Sequence, residues 1–275
     1  MDTPTKKPAA LLAAGLEFFI LQQATRPAWG LEAVVDTSVI AWKMGFAKEY
    51  VATHVPNHSV QSEFPATLSY LGNKAGFMNT IQYLVFGGDS DLPENLQIKI
   101  LKQAFTAISF GARKTAKGWM DSSGKWTNPA IVDIFRIKTE RDLFLADPMV
   151  CDFIAEQGKL DKYLFDGFKA QRPDLMKLQY LQTQGGNPSR AKVIAFLYQH
   201  EETTVMDIVR KTLVEHGRAV LANIHDAIVV RKRLKVDVRH EIELRMQELT
   251  DNKYWRLGAT ELVRYSTANA CTDQT

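Results

Sequence analysis

The chain has 275 residues, 45% hydrophobic and 24% charged, the balance of a globular protein with a sizeable core. A net charge of +3 offers little argument for a polyanionic partner, and the two cysteines, Cys151 and Cys271, have neither metal spacing nor a disulfide framework. There is no signal peptide and no apolar run of about 18 residues, so a cytoplasmic protein without a membrane span is expected.

The chain opens with an amphipathic helix over 8–23, in which Leu11, Leu12, Leu16, Phe19 and Ile20 recur at helical spacing. A short apolar strand, Leu31 to Val35, follows and runs into Asp36, which reads either as a strand-end ligand or as a helix N-cap. The stretch from His54 to Phe64 reads as a loop, with His54 and His58 on the surface. Thr80 to Phe86 is an apolar helix or strand closed by Gly87-Gly-Asp-Ser-Asp91, read as a turn and N-cap. A helix is expected from Pro93 to about Gly111, with Leu101, Phe105 and Ile108 as its core face and Lys102, Thr106 and Phe110 on another side.

An irregular segment from Gly118 to Lys125 gives way to helical segments over 129–168. Gln182 to Ser189 is a loop and subdomain boundary, and a helix runs from about Arg190 until Gly217 stops it. The stretch Leu221 to Val230 is an apolar, β-branched strand hairpin interrupted by His225-Asp226. Val236 to Leu249 forms another amphipathic helix, and Trp255 to Tyr265 a last strand. A buried carboxylate in the hairpin would need a hydrogen-bond partner or a metal, and a plain His-Asp turn at its tip is the competing reading. Basic residues gather at Arg113, Lys114 and Lys117, and again between Arg210 and Lys235, where Arg231 and Arg233 follow the hairpin.

Three pieces now stand in chain order: Asp36-Thr37-Ser38 after a strand, Lys102 followed after seven residues by Phe110-Gly111, and His225-Asp226 in a hairpin. Together they resemble the three motifs of the polymerase superfamily that holds the family A DNA polymerases and the single-subunit RNA polymerases of phage and mitochondrial type. The match covers roughly residues 31 to 250 and is strong only at these motifs. It implies an α+β fold: a right-hand polymerase palm built on a small antiparallel sheet, with mainly helical fingers. The corresponding division is 1–92 for an N-terminal helix and first palm segment, 93–189 for the fingers and 190–275 for a second palm segment.

The resemblance also implies roles. Asp36 and Asp226, with the backbone carbonyl of Thr37, would hold two Mg²⁺ ions about 3.5 to 4 Å apart, which stabilise the attacking and leaving oxygens of nucleotidyl transfer. Lys102 would contact the triphosphate and assist the leaving pyrophosphate. Phe110 would stack near the incoming sugar and base, with Gly111 leaving room for the template. Gln199, at the start of Gln199-His-Glu-Glu202, and His225 would face the nucleotide. Arg113, Lys114, Arg231 and Arg233 would contact template and nascent strand. The DNA polymerases exclude ribose with a glutamate five residues after the first aspartate. Ala41 stands there, and Ala227 follows His225-Asp226 where they carry glutamate, so the expected product is RNA, with a DNA polymerase as the alternative. Phe110 tells against a simple assignment, because the RNA polymerases use tyrosine there.

Two departures accompany the match. The basic residue one turn before the lysine falls at Ile98, and only 35 residues precede Asp36, where the superfamily places its thumb. The expectation is a palm-and-fingers subunit of a split polymerase, thumb largely absent, completed by a second protein subunit. Small size and the resemblance imply a phage or viral source acting in host cytoplasm. A catalytically inactive, polymerase-derived nucleic-acid-binding accessory protein is the rival reading.

Overall fold

The computed structural model describes residues 31–36, 38–87, 90–112, 114–115, 117–120, 124–183, 185–224, 227–231 and 234–262, and of 31–36, 223–224 and 259–262 the backbone alone. In chain order the elements are β1 (Leu31–Asp36), α1 (Val39–Gly45), α2 (Ala47–His54), α3 (Val60–Glu63), α4 (Pro65–Gly72), α5 (Lys74–Phe86) and α6 (Glu94–Ser109). A small hairpin, β2 (Trp119–Met120) and β3 (Trp126–Thr127), precedes α7 (Ala130–Ile134), α8 (Lys138–Ala146) and the long α9 (Pro148–Gln171). The chain continues through α10 (Arg190–Glu215), β4 (Val220–Ile224), β5 (Ala227–Val230), α11 (Val236–Leu249) and β6 (Arg256–Leu262). The fold is thus α+β and mainly helical, as expected. The expected opening helix lies outside the described residues.

The main sheet is antiparallel with strand order β4-β5-β1-β6, so the first strand of the chain is inserted between strands from its far end. Helix α10 packs on β4 and β5, and α11 on α10 and β6. Helix α9 is the hub of the helical part, in contact with α1, α2, α4, α6, α8 and α10. One continuous core joins the two parts, from Val39 and Trp42 through Leu101, Phe105 and Phe153 to Val209 and Leu257.

Local chemistry accounts for most boundaries. Ser38, not Asp36, caps α1, its hydroxyl accepting the Ala41 amide at 3.1 Å, so Asp36 remains the end of its strand. The expected loop between His54 and Phe64 holds a single turn, α3, because Ser59 and Ser62 cap each other's backbone reciprocally. The expected N-cap near Asp91 is also corrected: Pro93 stands at that position before α6, with no side-chain cap. Helix α4 lacks a cap of its own, and Glu156 of α9 supplies one across the core, its two oxygens accepting from the amides of Ala66 (2.9 Å) and Thr67 (2.7 Å). The expected ends at Arg190, Gly217, Val236 and Leu249 agree with the structure, and Gly217 adopts φ +63° as helix-stopping glycines do.

Phe105 shows how α6 is anchored: fully buried, it meets the rings of Tyr70, Phe77, Phe144 and Phe153 at centroid distances of 5.1 to 5.6 Å. Phe105→Ala should cost about 3–5 kcal/mol in chemical denaturation, the range for truncating a buried aromatic side chain.

Candidate active site

Position 36 stands at the carboxyl end of β1, and β1 runs antiparallel to β5, which begins one residue after position 226. The β4–β5 hairpin pairs Ile224 with Ala227, the residues that flank His225-Asp226 in the sequence. His225, Asp226 and Thr37 lie outside the described residues, and only the backbone of Asp36 is described. The β1–β5 ladder pairs Glu32 with Val230, Ala33 with Val229 and Val34 with Ile228. Against β6 the register of β1 shifts between Val34 and Asp36.

The second site segment is the end of α6. Lys102 and Thr106 are exposed, and Phe110 is half-buried, packed edge-on against Tyr198 at 5.8 Å. Gly111 has φ +80°, its amide bonds the Ile108 carbonyl, and the Ala112 amide bonds the Ala107 carbonyl, a pattern that closes the helix with a left-handed residue. A side chain at Gly111 would also come within 3.6 Å of Ala191, at the start of α10. The Phe-Gly pair thus has a structural cause alongside the role implied by the resemblance. Ile98 packs against the core, while Lys99, three residues before Lys102, is exposed.

Tyr198 in turn meets Trp42 of α1 at 5.9 Å, and Trp42 meets Phe46 at the same distance, so an aromatic chain joins α6, α10 and α1. Gln199, next to Tyr198, is exposed, as are Lys114 and Arg231, whereas Arg113 and Arg233 lie outside the described residues. Ala41 does not face open space: it is 3% exposed, and its carbonyl accepts the Asn252 amide at 3.0 Å. A cavity of about 570 Å³ adjoins Trp42 and is walled by Phe46, Tyr50, Tyr163, Leu197 and Glu201, whose carboxyl burial pushes up. Among the described residues no cluster of three or more metal-ligating side chains occurs.

The feature that sequence reasoning missed lies beneath this site. Lys43 of α1 is fully buried and forms an ion pair with Asp161 of α9, while its ammonium also donates to the carbonyl of Ser109, the last residue of α6. Its signal was available in Val39-Ile-Ala-Trp-Lys-Met-Gly45, where one lysine sits in an otherwise apolar helix. Burial lowers the Lys43 pKa against the pull of Asp161, and burial raises that of Asp161 against Lys43 and Arg190. Asp161 therefore adds stability below the ordinary carboxylate range and loses it as pH rises through its raised pKa. Lys43 adds stability above the ordinary lysine range and loses it as pH falls through its lowered pKa. Between those limits the charged pair is kept at a cost in desolvation.

No family model and no curated protein matches the chain. Among solved structures it is similar to the POL domain of Pol1 from M. smegmatis, in complex with DNA primer-template and dNTP, at 12% identity and a TM-score of 0.42. That likeness covers 87% of this chain and 40% of the other, so the chain spans less than half of its length, and it carries no argument about site or chemistry.

Lys43→Met should destabilise the fold by about 3–5 kcal/mol by leaving Asp161 buried and unpaired, and adding Asp161→Leu should recover most of that loss. Urea denaturation of the single and double variants checks both.

Proposed function

We propose that the chain is a template-directed nucleotidyltransferase of polymerase type, with RNA as the preferred product and a DNA polymerase as the second reading. The observation that supports it most is the register of β1 and β5. β1 pairs with β5 as far as Val34↔Ile228, so the strand that ends at Asp36 is hydrogen-bonded to the strand that begins one residue after Asp226 in the sequence. Two carboxylates at neighbouring strand ends would suit Mg²⁺, which takes one or two protein carboxylates and fills its remaining positions with water and phosphate oxygens.

In this reading Asp36, Asp226 and the Thr37 carbonyl hold the metal, and the bound ions activate the attacking hydroxyl and neutralise the leaving pyrophosphate. Lys102, exposed on α6, meets the triphosphate as a mobile point charge. Phe110, steadied by Tyr198, closes the nucleotide side, and Gly111 keeps the turn free of a side chain. Gln199, one residue past Tyr198 on α10, and His225 face the nucleotide from the second palm segment. The divisions 1–92, 93–189 and 190–275 serve as palm, fingers and palm. The preference for ribose rests on Ala227, half-buried at the start of β5, more than on Ala41, which belongs to the core.

Extension of a primed template with Mg²⁺ and radiolabelled nucleotides tests the reading. Asp36→Ala and Asp226→Ala should reduce incorporation to background, and Lys102→Ala should lower kcat by about 10²–10⁴. Normal incorporation by both aspartate variants would overturn the metal assignment, and no incorporation by the unaltered chain would favour a non-catalytic nucleic-acid-binding protein. Ala41→Glu should cost several kcal/mol, because it sets an unpaired carboxylate in the core, rather than switch sugar preference in a stable protein.

A further inference from the structure

Between Gly111 and Asn128 the chain carries four cations, Arg113, Lys114, Lys117 and Lys125, against one acid, Asp121, and two tryptophans. Strands β2 and β3 form a hairpin here, pairing Trp119 with Thr127 and Met120 with Trp126. Directly paired residues share a face, and on this one Met120 is 61% and Trp126 55% exposed. Met120 and Trp126 thus stand side by side in water, an apolar patch rather than a single exposed residue.

Trp126 is held in place rather than loosely displayed. Its indole Nε1 donates to Asn128 Oδ1 at 2.9 Å, and Asn128 Nδ2 donates to Asp133 Oδ1 of α7 at 3.2 Å. Gly118 passes so close beneath the ring that a Cβ there would stand 2.6 Å from Trp126 Cε2. Glycine is thus the residue that lets the backbone support the indole. Lys114, Lys117 and Lys125 are exposed on the approaches to the hairpin.

We propose that this hairpin is a stacking platform for an unpaired nucleic-acid strand, with a base on Trp126 and phosphates on the flanking lysines. An aromatic face beside a row of cations is the combination that single-strand binding uses, since every base has a π-face and every linkage a negative charge. A protein partner would satisfy Trp126 and Met120 but leave the cations unexplained. The platform follows Phe110 by nine residues, no more than about 30 Å of extended chain, so a strand on it lies within a few nucleotides of the end of α6. The inference extends the nucleotidyltransferase reading to the strand it would copy or make, but does not depend on its metal chemistry.

The test is fluorescence anisotropy of the full chain with labelled oligo(dT) and with a blunt duplex of equal length, over a salt series. Trp126→Ala should weaken single-strand binding by about fivefold to a hundredfold, the loss of one base–aromatic stack, while Trp126→Phe keeps most of the affinity. Lys114→Glu with Lys117→Glu should flatten the salt dependence by roughly 0.7 per lost phosphate contact. Single-strand affinity unchanged in Trp126→Ala, or duplex bound as tightly as single strand, would overturn the proposal, as would the unaltered chain binding neither. Strand binding that depends on Trp126 without any incorporation would sink the catalytic reading and leave the platform standing. Incorporation with no dependence on Trp126 would do the reverse.

Discussion

The buried ion pair between Lys43 and Asp161 is the constraint on which the arrangement of the candidate site depends. Lys43 begins seven residues after the end of β1, Asp161 lies in the middle of α9, and the ammonium also reaches the final carbonyl of α6. One cation therefore ties the segment after Asp36, the central helix and the end of the helix that carries Lys102 and Phe110. A positive charge at the carboxyl end of α6 also opposes the partial negative charge of its last carbonyls. Burial works against both ionised groups, so the pair is better understood as fixing position than as adding stability.

Around this pair the packing is layered. Above it, the left-handed turn at Gly111 and the edge-on contact of Phe110 with Tyr198 set the end of α6 against α10. Beside it, Asn252 bonds the carbonyls of Ala41 and Trp42 and fits so tightly under Gly45 that a Cβ there would come within 2.7 Å of its amide. The turn before β6 is thereby fastened to α1, immediately after β1, the strand that β6 pairs with. Sheet and helices meet through α1.

How much of this was legible in the sequence follows from the range of each interaction. Helices with a long apolar period, such as Glu94–Ser109 and Val236–Leu249, could be bounded from spacing alone, and so could the hairpin at Val220–Val230, because those signals are local. The single turn at Val60–Glu63 escaped, since two serines capping each other look like loop residues. Lys43 and Asp161 are more than a hundred residues apart, as their numbers show, and neither announces the other. Ala41 was legible as small but not as buried. The hairpin at Trp119–Thr127 looked irregular because each strand holds only two residues, and what makes it ordered, Gly118 beneath Trp126, is a contact no period reveals.

Of the motifs that suggest polymerase chemistry, those at the end of β1 and on the surface of α6 lie on parts that these contacts hold. The central proposal is that Asp36 and Asp226 share a metal ion. A crystal structure of the chain grown with Mn²⁺ tests it most directly, because the ion's anomalous signal locates it independently of the protein density. The account predicts one ion bound by the carboxylates of both Asp36 and Asp226, at oxygen distances of about 2.0–2.2 Å, near those of Mg²⁺. Carboxylates on opposite faces of the sheet, or an ion bound elsewhere with these two residues unliganded, would contradict it.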